Sequence, residues 1–515
     1  MSAAEGGPVR SARVGLIQAN EHRHPLVYAA TTDDQGHFEI KQIEAGRYEF
    51  FASHTGYLEQ HYKASGTERG ALLSLTSGQN VDDVLFRLER AGVITGKVVD
   101  DSGEPMLGVN VSVLRTPSDD EREEVGPRHR KIETVSIEAT DDRGQYRIFN
   151  LKPGEYYVKA AETSEPVVFS GPTEIGSDWM LLQELGSQYA PLYYPGVVQI
   201  DQAQTVTLRA GEEMQADFAM RRVKLVEVDG RVIAPDGSPA SHVFVQLWQS
   251  GVGGWGELGA SADSQGEFSI KGVLPGSYII SASLREKDKY YNTQQKIEVG
   301  LSKVDSVVLA MGSGAAIHGR LVTASGVKLP SEHIAIHLQS MADEGVGFGR
   351  ADVSKDGSFE LSGVTDGSYA VMLNGLGELG WLVKSAHLGN EDVLQHGVQV
   401  ENSVVKGNLD IVISNDGAQI EGSVTDDQNH PLAGVQVRAR VEPETEYNQF
   451  RLRQDATDQN GHYVIKDIPP GKYKIVAKIP ASEGDTATKS DPVAVILGER
   501  EHRTVDIKLA VPKRE

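Results

Sequence analysis

The chain has 515 residues and a net charge of −23, with its acidic residues spread along its length, so a nucleic-acid partner, whose phosphates need a basic surface, is excluded. It contains no cysteine, which rules out disulfides, thiolate metal sites and cysteine nucleophiles. No apolar run is long enough to span a membrane, and residues 1–30 contain no recognisable signal peptide.

A chain of this length exceeds a single core, and its 55 glycines point to many turns. In chain order, one pattern recurs: GHFEIKQIEAGRY (36–48), GQYRIFNLKPGEY (144–156), GEFSIKGVLPGSY (266–278), GSFELSGVTDGSY (357–369) and GHYVIKDIPPGKY (461–473). Each has a Gly, an aromatic two residues on and Ile or Leu two further. A second Gly follows ten residues after the first, and a Tyr two beyond that. The alternation of apolar and polar residues predicts a half-buried strand. Turns such as DDQG, DDRG and DQNG precede the strand, and the second Gly, often after Pro, predicts another tight turn. The Tyr then opens the next strand: YEFFAS, YYVKAA, YIISAS, YAVML and YKIVAK.

A second piece lies upstream of the pattern, in ITGKVVDDSGEPMLGVNVSVL (94–114), VDGRVIAPDGSPASHVFVQLW (228–248), IHGRLVTASGVKLPSEHIAIHL (317–338) and IEGSVTDDQNHPLAGVQVRARV (420–441). Each reads as an opening strand containing x-Gly, a turn and an alternating strand. Closing strands such as VDSVVLAM (304–311), NLDIVISN (408–415) and TVDIKLAV (504–511) follow downstream. Six or seven short strands per unit without helical periodicity predict a β-sandwich. The expected architecture is all-β, with five tandem Ig-like or prealbumin-like sandwiches at 1–91, 92–222, 223–312, 313–415 and 416–515. Joints at Arg90-Ala91-Gly92, Arg222-Val223-Lys224, Gly312-Ser313-Gly314 and Asp416-Gly417 are short, which predicts a stiff elongated or bent rod.

The combination G-x-V-x-D…G-x-P…G-V-x-V followed by D-x-x-G-x-[FY]-x-[IL]…P-G-x-Y resembles the carboxypeptidase regulatory-like domain. That family has a transthyretin-like sandwich classed with carbohydrate-binding-like folds. The resemblance implies a fold more than a function, because the shared residues are turn and core residues. Tandem arrays of this kind resemble exported envelope proteins.

The first unit departs from the others. Aligning Gly6-Gly7-Pro8 with Gly103-Glu104-Pro105 puts Met1 where Val98 would be, so unit 1 is expected to lack its N-terminal strand. Such a loss removes about three inward apolar side chains, at roughly 1.5–3 kcal/mol each. Two readings remain open. Met1 is an internal methionine, with the strand and a signal peptide upstream; or the groove accepts a strand donor from another chain. The first carries export to the periplasm, outer-membrane surface or medium, whereas a true start at Met1 implies the cytoplasm.

Catalysis finds little support. A metallocarboxypeptidase zinc site needs His-x-x-Glu, and none of the 15 histidines has Glu three residues later; HExxH is absent as well. The chain ends VPKRE, without the Tyr-Arg-Gly-Ser-type tail of the transthyretin-like hydrolases. His22 and His24, and His333 and His337, are the closest histidine pairs, but neither has a visible third ligand. The Asp-rich turns lack the spacing of a calcium loop. Lys97 has no recognisable Asn and acid partners for an intramolecular Lys–Asn crosslink. No cofactor, metal or enzymatic activity is expected.

The irregular segments carry the candidate site. Unit 2 has two insertions, at 115–133 and 177–196, and unit 3 has a glycine-rich loop at 248–259. Sugars stack on exposed aromatic rings, so Trp179, Tyr189, Tyr193, Tyr194 and Trp255 form a candidate glycan platform. The alternative is that these rings cap sandwich ends or pack between units. Tyr57 and Tyr62 in unit 1 match Tyr189 and Tyr194 in spacing. The expected function is a non-enzymatic envelope binding or scaffold protein with polysaccharide or envelope-protein partners. The alternative is a stalk or adhesin working through protein contacts, and an accessory module of a peptidase system comes last.

Overall fold

The computed structural model describes residues 2–3, 6–19, 25–64, 70–117, 132–162, 189–222, 225–249, 258–286, 289–312, 314–330, 333–341, 348–376, 380–448, 451–479 and 488–511. The fold is all-β and built of tandem sandwiches. Among the described residues, the only helical elements are the 3-10 turn Ile200–Gln202 and the single α-turn Val393–His396. Five hydrophobic clusters follow one another along the chain, each drawn from one stretch of sequence.

Unit 2 shows the plan. Its opening strand Gly92–Val99 lies in the middle of one sheet, antiparallel to Gln145–Leu151 and parallel to Glu213–Gln215 and Phe218–Ala219. The facing sheet pairs Asn110–Arg115 with Glu133–Ala139 and with Gly154–Ala161. Ile94, Val98, Val111, Val113, Ile148 and Val158 interdigitate between the sheets and are fully buried. The same central opening strand recurs as Val226–Ile233, Ala315–Thr323 and Ala418–Thr425, each flanked antiparallel by the aromatic-motif strand and parallel by the closing strand.

The recurrent residues have specific structural roles. The motif Tyr donates its hydroxyl to the carbonyl four residues back: Tyr48 to Glu44 at 2.8 Å, Tyr156 to Lys152 at 2.7 Å, Tyr369 to Thr365 at 2.9 Å and Tyr473 to Pro469 at 2.7 Å. This bond fastens the loop between the two strands. The Gly of the opening strand makes room for the neighbouring strand: a Cβ on Gly422 would collide with the Val505 carbonyl, and one on Gly319 with the Phe359 ring. The turn aspartates cap their own backbones. Asp33 accepts from the amides of Gln35 and His37, and Asp141 from those of Arg143 and Gln145, all at 2.8–2.9 Å.

The units do not form the rod that the short joints predict. Unit 5 returns against unit 1. The Arg47 guanidinium pairs with the buried Asp455 carboxylate at 2.8 Å and donates to the Ala456 carbonyl at 3.2 Å. The Gln459 side chain reads the backbone of Ser74 from both sides, accepting from its amide at 2.9 Å and donating to its carbonyl at 2.8 Å. The Leu72 amide donates to the Thr457 carbonyl at 3.3 Å. Units 4 and 5 are tied by the ion pair of Lys384 with Glu499 and by the Arg451 guanidinium on the Val383 carbonyl. The array is therefore closed, with unit 5 bonded to both unit 1 and unit 4.

Candidate functional site

Unit 1 forms only one complete sheet, in which Arg13–Gln18 pairs with Val27–Thr31 and Gly46–Ser53. Of the facing sheet, Ser2–Ala3 pairs in parallel with Arg87–Leu88. The register is that of unit 2: Ser2 faces Arg87 as Val99 faces Ala219, in keeping with the alignment of Met1 on Val98. Beyond that pair, the motif segment 37–44 has no strand ladder, although its sequence predicts a strand. The physical reason is the central position of the opening strand in the other units. A segment that would bond to it has no ladder partner among the described residues.

Side-chain burial follows. Tyr146, Ile148 and Leu151 of unit 2, and Tyr463, Ile465 and Ile468 of unit 5, are buried at 4% exposure or less. The unit 1 counterparts Phe38, Ile40 and Ile43 are only half-buried. On the other border, Val84 is half-buried and Leu85 is 54% exposed. Between the borders, Phe38, Phe50 and Phe86 pack edge-on and tilted, with centroids 5.0–6.3 Å apart. The result is an apolar face across which Phe38 and Phe86 are in contact.

Beside it, at the joint with unit 2, Pro8, Arg10, His54, Tyr57 and Arg90 line an open cleft of about 710 Å³. Arg10 reaches Asp34 at 4.0 Å, and the His54 and Tyr57 rings meet edge-on at 5.5 Å. No group of three or more metal-ligating side chains converges among the described residues. His333 pairs with Asp352 at 3.0 Å, while His337 is buried on the strand Ala335–Ser340. The turn aspartates have their own bonds to make: Asp100 accepts from Ser102 and Glu104, and Asp426 from Gln428 and His430. These bonds hold Asp100 and Asp426 below the usual carboxylate range, chiefly the Ser102 hydroxyl for Asp100 and the His430 amide for Asp426.

Only part of the candidate glycan platform falls within the described residues. Trp179 and Trp255 lie outside the described residues. Tyr193 is 3% exposed and Tyr189 7% exposed, both in the core of unit 2, so neither offers a ring face to a sugar. Tyr194 is half-buried and meets Phe218 edge-on at 6.3 Å. Tyr189 instead holds the joint to unit 3: the Arg222 guanidinium stacks 5.4 Å from its ring centroid and donates to its hydroxyl at 3.3 Å. Tyr57 and Arg90 form the matching backbone bridge at the joint of units 1 and 2. The spacing shared by Tyr57 and Tyr189 is thus a joint signal. Sequence reasoning missed the contact between units 1 and 5, for which no local pattern exists.

With this geometry in view, the chain is a tandem β-sandwich protein. Residues 93–173 and 419–510, within units 2 and 5, match the carboxypeptidase regulatory-like domain. No curated protein matches the chain. Among solved structures, it is similar to the Bacillus anthracis TIE protein at 10% identity, over 97% of this chain and 69% of that one, with a TM-score of 0.16. A streptococcal ancillary pilin is 13% identical over 58% of this chain and 92% of its own, at a TM-score of 0.21. The minor pilin GBS52 of Streptococcus agalactiae is 13% identical over 47% and 98% respectively, with a TM-score of 0.21.

Proposed function

We propose that the chain is a non-enzymatic scaffold of the cell envelope or cell surface that works through protein–protein contacts. The observation that carries this reading is the closure of the array, in which Arg47 and Ser74 of unit 1 are held by Asp455 and Gln459 of unit 5. Holding five sandwiches in fixed relation presents their outer faces as one surface, the requirement of a scaffold. The recurrent Asp, Gly and Tyr residues support the same reading, because turns and cores consume them. No helix among the described residues is long and apolar enough to cross a membrane.

Carbohydrate binding would rest on Trp179, Tyr194 and Trp255, since the buried Tyr189 and Tyr193 lend it nothing. The test is fractionation of the native cell combined with in-cell crosslinking of the full chain. The scaffold reading expects recovery with the envelope or surface fraction and discrete crosslinks to proteins there. Recovery in the cytosol without crosslinked partners would contradict it. Retention on a polysaccharide column that is lost in Trp255→Ala would move the assignment to glycan binding.

A further inference from the structure

We propose that the cleft at the joint of units 1 and 2 is an anion-binding site that takes the carboxylate side chains of an acidic polypeptide segment. The inference rests on the scaffold reading and names the chemistry of a partner that such a scaffold would hold. The two joints that flank unit 2 are built on one plan. At the first, Tyr57 forms a backbone bridge with Arg90, as Tyr189 does with Arg222 at the second. The Leu58 amide donates to the Glu89 carbonyl as the Ala190 amide donates to that of Arg221. Arg13 faces Ser53 as Asn110 faces Ala161, so the strands behind the two joints share a register.

On this shared frame the charges are reversed. At the second joint, the Arg222 guanidinium lies over the Tyr189 ring and pairs with Asp101 at 3.7 Å. In unit 1 the positions of Asp100, Asp101, Glu104 and Glu162 hold Ala3, Ala4, Gly7 and His54, and Arg10 stands where unit 2 has Leu107. Glu5, at the position of Ser102, is the change in the other direction. The first joint therefore brings Arg10 and Arg90 to the wall of one cleft of about 710 Å³, in a chain whose net charge is −23. Arg10 meets Asp34 at 4.0 Å with both side chains largely exposed, a contact that water screens and a ligand carboxylate can displace. A guanidinium offers paired N–H donors that match a carboxylate. His54 and Tyr57 are half-buried and meet edge to face, at 5.5 Å and 72°, so they form a ridged wall and not the flat exposed ring on which a sugar stacks. The volume suits a short segment better than a single ion. Arginine and tyrosine are also the side chains that most often anchor protein interfaces.

The probe is fluorescein-labelled pentaglutamate, added to the full chain and followed by fluorescence anisotropy. The test variant carries the residues of unit 2, Gly7→Glu together with Arg10→Leu. A Cβ on Gly7 meets nothing within 4 Å, and Leu107 is itself 72% exposed, so the double variant should keep the fold, which an unchanged thermal melt verifies. Arg10→Leu alone serves the same comparison if Gly7→Glu unsettles the turn. The proposal expects saturable binding of pentaglutamate that weakens as salt is added, and none of pentaglutamine. Affinity should fall at least about tenfold in the double variant, which loses a cation and gains an anion. Absence of saturable binding, equal affinity in the folded variant, or equal affinity for pentaglutamine would overturn the proposal. Trigalacturonate that displaces the probe at a lower concentration than unlabelled pentaglutamate would overturn it in favour of an acidic sugar. None of these results bears on the fractionation and crosslinking of the native chain, so the scaffold reading stands or falls separately.

Discussion

At the scale of single residues, the fold depends on a few side chains whose chemistry suits a turn or a close approach. Tyr473→Phe removes the bond to the Pro469 carbonyl and should cost about 1 kcal/mol. Gly422→Ala drives a methyl into the Val505 carbonyl and should cost roughly 1–3 kcal/mol. Chemical denaturation of the two variants checks both values. The aspartates of the turns set a pH limit. Asp33, Asp100, Asp236, Asp356 and Asp426 all have carboxyl groups held below their usual value of 3.8 by hydrogen bonds within their turns. A depressed folded value means that this stability is present above 3.8 and lost as the pH falls through the lowered values. Thermal melting between neutral pH and pH 2 should therefore show an acid limb, and that limb should be shallower in Asp100→Asn. Tyr193 belongs with the core residues. Tyr193→Ala should destabilise unit 2 by about 3–5 kcal/mol, as truncation of a buried aromatic does. A folded, equally stable variant that had merely lost glycan retention would contradict that placement.

At the scale of elements, most of the sandwich was legible. The motif strands of units 2–5 alternate apolar and polar residues between turn residues, and each forms where the pattern predicts. The segment FEIKQI of unit 1 has the same pattern and does not form a ladder. Alternation reports which face of a strand is buried, but a ladder also needs a neighbour, and that neighbour is encoded elsewhere. The candidate site was legible in part. The alignment of Gly6-Gly7-Pro8 located the end of the opening strand in unit 1 and its register. The aromatic insertion misled, because a tyrosine that caps a joint and one that stacks a sugar look alike until burial is known. Glycan binding and joint packing differ in three dimensions only.

At the scale of the whole molecule, closure depends on residues far apart in the chain. Arg47 and Asp455 pair with Asp455 at 4% side-chain exposure, and burial raises the Asp455 carboxyl above its usual range while Arg47 opposes that shift. The sign is that of a buried acid: at neutral pH its ionised form is a cost, offset by the guanidinium. Arg47→Ala leaves the carboxylate without its cation and should loosen unit 1 from unit 5, at a cost approaching the roughly 3–5 kcal/mol of a broken buried pair. The pairing could not be read locally, since nothing near either residue signals the other. The most direct test uses the absence of native cysteine. Spin labels are placed through Ser77→Cys and Asn460→Cys, two exposed positions beside the contact, and the distance between them is measured by pulsed electron resonance. A closed array predicts one short, narrow distance that lengthens in Arg47→Ala. A broad distribution spanning several sandwich lengths in the unsubstituted background would contradict closure, and with it the single fixed surface on which the scaffold function rests.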